Sequence, residues 1–228
     1  MKVVYGDNFI AVEEADHLTD VELFKVLDQL ESEEVRNISL MLSPHRSRSV
    51  VNKLSDRNYY YTDTTIYFYH SLEKLRVREK HNIEWVRLEE RDFKMVWVQA
   101  MQGSLNHTGP INIDEQMGSV KKELGRTYRD SCLVVNVNGQ IAGACMPHIE
   151  PGTTEEGRLF YFGLLPEFRG RGLAGEIHLA ALKKLLEDFS ASYYIGATSM
   201  HNIPMLKVFE RNGCREIRKK EVYKKKRW

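Results

Sequence analysis

The stretch that most restricts this chain runs from Leu159 to Phe189. A β-type run, Leu159 to Leu165, leads into Pro166-Glu167-Phe168-Arg169-Gly170-Arg171-Gly172-Leu173-Ala174. A long amphipathic helix follows, with Leu173, Ile177, Ala181, Leu185 and Phe189 on one stripe. Where a strand enters a helix through a glycine loop, the unbonded amides of the first turn and the positive end of the helix dipole make an anion site. Gly170 and Gly172 omit side chains where a backbone has to approach a guest closely, and Arg169 and Arg171 add mobile positive charge. A pyrophosphate suits this arrangement. The spacing is not that of a nucleoside-triphosphate loop, and no G-x-G-x-x-G opens a βαβ unit with an acidic residue about 20 positions on.

The remaining bulk features narrow the class without naming it. At 228 residues, 42% hydrophobic and 29% charged with a net charge of +1, the chain can bury a sizeable core and has no bulk attraction for polyanions. Cys132, Cys145 and Cys214 are odd in number and far apart in apolar stretches, which reads as reduced core cysteines; no metal site is expected. The first residues lack a signal-peptide core and no apolar run approaches the ~18 residues of a membrane span, so a cytoplasmic protein with no membrane partner is expected.

Along the chain, residues 1–80 read as a small α/β domain and 81–228 as a larger one. The first opens with Val3-Val4-Tyr5 and a helix announced by the capping box Thr19-x-x-Glu22, with Leu23, Phe24, Leu27 and Leu30 inward. Then come a strand from Ile38 to Leu42, a helix through Val50, Val51 and Leu54, and a strand from Tyr59 to Tyr69. Leu72 to Asn82, with Leu75 and Val77 as its apolar residues, predicts a short helix and the linker. Val86 and Leu88 mark a strand, and Phe93, Val96, Trp97, Ala100 and Met101 recur at helical spacing. After a Gly109-Pro110 loop, Met117, Val120 and Leu124 share a helix face that Gly125 ends. Leu133 to Val137 and Ile141 to Cys145 flank Asn138-Gly139, the pair that a two-residue type I′ hairpin turn demands. Beyond the long helix, Tyr193 to Thr198 is a strand. Asn202 caps a helix with Pro204 in its first turn and Met205, Leu206 and Phe209 inward, and Gly213 closes it.

Arg169, Gly172 and Ala174 meet the pattern [QR]-x-x-G-x-[GA], with Pro166 and Gly170 in its usual lead-in and Leu164 in the position of a valine. In these residues the chain resembles the GNAT superfamily of acetyl-CoA-dependent N-acetyltransferases. The family order of strand, two helices, hairpin, motif strand and helix, strand, helix and strand is met by residues 83 to 228. The resemblance implies an α+β fold, a mixed α/β architecture with a central, mostly antiparallel sheet flanked by helices. It also implies acetyl transfer from acetyl-CoA to the primary amine of a small-molecule or peptide acceptor. By the same resemblance Leu164, with Gly163 and Leu165, would meet the pantetheine arm. Arg169, Gly170, Arg171, Gly172, Leu173, Ala174 and Gly175 would form the pyrophosphate cradle, and Asn202, which is equally a helix cap, would touch the cofactor.

The catalytic positions depart from the family. Where many members carry an acid tyrosine this chain has Phe209, and where a glutamate or histidine is usual it has Arg158. A non-catalytic acyl-CoA-binding or regulatory module is therefore the alternative. Period-two counting puts Glu156, Arg158, Phe160, Phe162 and Leu164 on one face of the motif strand and Tyr161 on the other, unless a β-bulge inverts the count. Glu156, acting through water, and His201 are the catalytic candidates; His148, just past the second hairpin strand, is likewise a histidine able to act near neutral pH, and such histidines are more often bystanders.

Lys53-Leu54-Ser55-Asp56-Arg57-Asn58 parallels Lys207-Val208-Phe209-Glu210-Arg211-Asn212 at the end of a helix that leads to a strand. This likeness points to a degenerate GNAT-like repeat, as in tandem members of the family, that shapes the substrate side or a homodimer surface. The basic end, from Lys219 to Arg227 with Trp228 last, reads as a strand fading into a solvated tail, and nucleic acid is not an expected partner.

Overall fold

The computed structural model describes residues 1–6, 9–73, 75–76, 80–105 and 111–226. The expected Gly109-Pro110 loop, Val77, Arg227 and Trp228 lie outside these. The elements are β1 (Lys2–Tyr5), β2 (Phe9–Glu13), α1 (Asp20–Leu30), β3 (Asn37–Leu42), α2 (Arg48–Asp56), β4 (Tyr60–Ser71), β5 (Ile83–Val86), α3 (Glu90–Met101), α4 (Ile113–Leu124), α5 (Tyr128–Ser131), β6 (Leu133–Val137), β7 (Gln140–Ile149), β8 (Glu156–Leu164), α6 (Leu173–Phe189), β9 (Tyr193–Ser199), α7 (Ile203–Arg211) and β10 (Arg215–Lys226). Contacts divide the chain into residues 1–66 with 218–228, and residues 67–217. This division differs from the boundary expected at 80/81: β4 and β10 each supply residues to both units. The short helix expected between Leu72 and Asn82 is absent among the described residues, because that stretch has too few apolar side chains to hold a helix against a core.

In the first unit β1 pairs antiparallel with β2, β2 parallel with β3, and β3 antiparallel with β10. Strand β2 was not anticipated; its alternating Ile10 and Val12 are fully buried, although acidic residues follow directly. The capping box forms as expected, with Thr19 Oγ1 accepting from the Glu22 amide and Glu22 from the Thr19 amide. Leu23, Leu27, Val50 and Leu54 then pack with Ile38, Leu40, Leu42 and Tyr223. The basic end is no solvated tail: β10 continues to Lys226, Val222 and Tyr223 are buried, Lys220 is buried beside Asp16, and Lys225 meets Glu31 at 2.9 Å. Lys220 and Lys225 each have a strand position and an acidic neighbour, which composition alone does not reveal. Residues 37–71 fold as strand, helix, strand, as residues 193–226 do.

In the second unit the strand order is β4-β9-β8-β7-β6-β5. Asn138 and Gly139 take φ of 52° and 81°, the backbone that their turn requires, and β6 and β7 pair around them. Strand β7 runs on to Ile149, so His148 lies inside it rather than past its end. Trp97 of α3 packs on Tyr161 of β8, while His178 of α6 packs on the next residue, Phe162. Neighbouring residues of one strand thus contact helices on opposite faces of the sheet. The three cysteines are buried and free, and burial pushes the thiols of Cys132 and Cys214 up to about 12. No described helix is long and apolar enough to cross a membrane.

Candidate functional site

The site begins with an irregularity in β8. Phe162 faces Cys145 and Leu159 faces Pro147, so β8 spends one more residue than β7 over this interval. That is a β-bulge, and it inverts the side-chain alternation. Phe160 packs on His148, which stands opposite Arg158, and Tyr161 packs on Trp97. A methyl at Gly163 would stand 2.3 Å from the Tyr161 hydroxyl oxygen. Arg158, Phe160, Tyr161 and Gly163 therefore share the α3 face. Phe162 turns to α6, against the count that placed it with Glu156 and Arg158, and Tyr161 joins the face from which it was excluded.

The bulge also decides where the backbone points. The Leu165 amide bonds the Ala142 carbonyl, so Gly163 pairs with Ala144 in the same sense. In an antiparallel ladder the intervening residues then direct their amides and carbonyls away from the partner. For Leu164 that direction is toward β9. Strands β8 and β9 pair in parallel at Glu156–Tyr193 and Gly157–Tyr194, while β8 continues to Leu164 and β9 to Ser199. Past the paired end lies a cleft of about 410 Å³ lined by Phe162, Gly163, Leu164, Phe168, Gly170, Gly172, Leu173 and Ala174 on one side and Asn202, Pro204, Met205 and Val208 on the other.

The glycine loop closes one end of this cleft. After a 3₁₀ turn over Pro166–Phe168, Gly170 and Gly172 adopt φ of 72° and 79°, and no side chain caps α6. A left-handed residue on each side of Arg171 folds the chain so that the first amides of α6 face the cleft. A Cβ at either glycine would meet nothing within 4 Å, so the backbone angle, rather than crowding, demands glycine. Arg169 does not act as mobile charge. Its Nε donates to the Leu164 carbonyl and its Nη2 to the Ala100 carbonyl, both at 3.0 Å, which ties the loop to the ends of β8 and α3. Arg171 remains exposed, its guanidinium 5.6 Å from the Phe168 ring centre.

Of the residues expected to hold the cofactor, Gly163, Leu164, Arg169, Gly170, Gly172, Leu173, Ala174 and Asn202 line the cleft. Leu165, Arg171 and Gly175 do not: the Leu165 amide is spent on Ala142, and the Gly175 carbonyl accepts from Asn212. Asn202 is buried, accepts from the Met205 amide as a cap and donates to Thr198 Oγ1, so its cap role and its place in the cleft wall coexist. Neither catalytic candidate reaches the cleft. Glu156 sits at the closed end of the β8–β9 pair, bonded to Arg158 at 2.6 Å and accepting from the Tyr193 hydroxyl at 3.3 Å. His201 is exposed on the turn before α7.

A second cavity of about 300 Å³ shares Phe162 and Met205 with the first. It is lined by Trp97, Met101, Gln116, Leu159, Phe160, Tyr161, Tyr194, Ala197, Thr198 and Phe209, and no charged side chain is among its described lining residues. Tyr161 Oη and Trp97 Nε1 are buried there without a hydrogen-bond partner. Burial pushes the Tyr161 hydroxyl well above its ordinary pKa, against the opposing pull of Arg169, so it stays protonated as a donor. Sequence reasoning missed Tyr161 because the bulge reversed its face, and Trp97 because helical spacing marks it only as core. Pro204 and Val208 were not expected in the cleft wall; the inward set expected for α7 was Met205, Leu206 and Phe209, of which Met205 lines the cleft.

The profile of the Acetyltransferase (GNAT) family matches residues 84–214. The structure resembles a GCN5-related N-acetyltransferase from Sphaerobacter thermophilus (TM-score 0.61, 12% identity, covering 98% of this chain and 75% of that one). It also resembles a GCN5-related N-acetyltransferase from Kribbella flavida (TM-score 0.62, 12% identity, 95% and 80%). A tandem GNAT protein from the clavulanic acid biosynthesis pathway aligns over 97% of this chain and 76% of its own, with a TM-score of 0.59 and 9% identity. At these identities the likeness concerns the fold. No curated protein matches the chain in sequence. With a family match over more than half its length, a bulged motif strand, a parted strand pair and a glycine cradle at the helix start, the chain belongs to the GNAT acetyltransferase family.

Proposed function

We propose that residues 67–217 transfer an acetyl group from acetyl-CoA to the primary amine of a small-molecule or peptide acceptor. The observation that carries this reading is the cleft beside the parted β8–β9 pair, with a phosphate-type cradle at the start of α6 and, in an adjacent cavity that shares Phe162 and Met205 in its lining, two unpartnered buried donors. The uncapped start of α6 suits a pyrophosphate, and the Leu164 amide suits the amide-bearing arm of the cofactor. Acetyl-CoA would supply the activated thioester.

The chain's own part is to bind, orient and donate. Tyr161 and Trp97 are the groups offered to a carbonyl oxygen that gains charge, and Tyr161 is the proton donor that Phe209 cannot be. The uncharged lining of the second cavity favours a neutral amine, the form that attacks a thioester. Three buried, unpaired cysteines support a reducing, cytoplasmic setting. We read the first unit, which repeats the strand-helix-strand order without a glycine cradle, as a degenerate companion.

The test is free-thiol release from acetyl-CoA across polyamines, amino acids, aminoglycosides and peptide N-termini, with calorimetric titration of acetyl-CoA alongside. Turnover on one amine class supports the reading. Tight binding with no turnover on any amine overturns it in favour of a non-catalytic acyl-CoA-binding module, for which Phe209 and Arg158 already speak.

A further inference from the structure

Away from the cleft, where β7 ends, a buried polar group has no part in acyl transfer as read above. Glu123 stands in the last turn of α4, His148 in β7 and Glu150 directly after it, and one donor atom from each lies within 4.8 Å of the others. His148 and Glu150 are only 4% and 5% exposed. His148 Nδ1 lies 3.5 Å from the Met146 carbonyl, and Nε2 is on the side of the Glu150 carboxylate. Nε2 is buried, has no hydrogen-bond partner, and has Glu150 Oε2 at 3.8 Å, too far for a hydrogen bond.

Arg158 bonds Glu150 at 3.0 Å and Glu156 at 2.6 Å, which holds the Glu150 carboxylate in place beside the imidazole. Glu123 and His148 also line a cavity of about 600 Å³ whose wall holds Arg87, Lys122, Asp130 and Asp188, two charges of each sign. That cavity provides an entry path and room for water ligands.

We infer that Glu123, His148 and Glu150 form a site for a divalent first-row metal ion, with Zn²⁺ the best match to one imidazole and two carboxylates. Metal bonds of about 2.0–2.2 Å need donors roughly 3–3.5 Å apart, so the His148–Glu150 separation is nearly right and Glu123, at a helix end, closes the rest by a rotamer change. The site joins α4 to β7. Because Gln116 of the same helix lines the second cavity, a bound ion holds the wall against which an acceptor would lie.

The test uses the full chain freed of metal by a chelator and then titrated with Zn²⁺, and with Co²⁺ for its visible absorption. One equivalent should bind, with the melting midpoint rising by roughly 5–10 °C at a hundredfold excess over Kd. Glu123→Gln and His148→Gln should each lower the affinity by at least about tenfold, with circular dichroism and acetyl-CoA affinity unchanged, while His201→Ala should leave metal binding as it was. If His148→Gln fails to fold, the half-buried Glu123→Gln decides. A wild-type chain that takes up neither ion, or a Glu123→Gln chain that binds as tightly as wild type, overturns the inference.

Discussion

Arg169 Nε donates to the main-chain carbonyl of Leu164 at 3.0 Å, so the motif arginine holds the end of its own strand. With the second bond to Ala100, Arg169 satisfies two carbonyls beside the cleft. Arg169→Ala should therefore destabilise by about 2–3 kcal/mol, measured as a lower urea midpoint, and weaken acetyl-CoA binding as a consequence. Arg171→Ala, at an exposed position, should weaken acetyl-CoA binding a few-fold, more at low salt, with the midpoint unmoved. Equal stability losses in the two variants would contradict this division of labour.

Gly172 carries φ of 79° with open space where a Cβ would go. Gly172→Ala should cost roughly 1–2 kcal/mol from backbone angle alone, and should shift the loop enough to impair acetyl-CoA binding. Thermal melting and calorimetric titration read the two effects separately.

Tyr161→Phe separates chemistry from packing. The buried hydroxyl has no partner, so its removal should leave stability unchanged or raise it by up to about 1 kcal/mol. If the hydroxyl is the proton donor, kcat should fall about 10²-fold or more with acetyl-CoA affinity preserved. An undiminished kcat would remove Tyr161 from the mechanism.

His178 is fully buried among Phe162, Tyr194 and Phe209. Burial first, and His70 second, lower its pKa to about 3 from an ordinary value of 6.5. Between those two values the unfolded chain binds the proton and the folded chain does not. The contribution is thus fully present above pH 6.5 and is lost as pH falls toward 3, with a slope of up to ~1.4 kcal/mol per pH unit. Urea unfolding from pH 7 to 4 should show this decline, and it should be shallower in His178→Gln.

Local chemistry was read correctly where one residue's own conformational needs decide the outcome. The Thr19–Glu22 box, the Asn138-Gly139 turn and the Asn202 cap each rest on bonds or angles within four residues. Reading failed where a distant partner decides. Strand β2 exists because β1 and β3 flank it, and the basic end is a strand because β3 and acidic side chains receive it.

The same contrast runs through the site. The order of strand, glycine loop and helix, with positive φ available only at glycine without strain, was determined by the sequence, and with it the family and the cradle. Which side chains of β8 face α3 was decided by one extra residue in that strand, because a bulge moves every following side chain to the other face of the sheet. That residue shift brings Tyr161 over Gly163 beside Trp97, while Glu156 stays at the closed end with Arg158 and Tyr193. A bulge is a mismatch between two paired strands, and no single strand contains it.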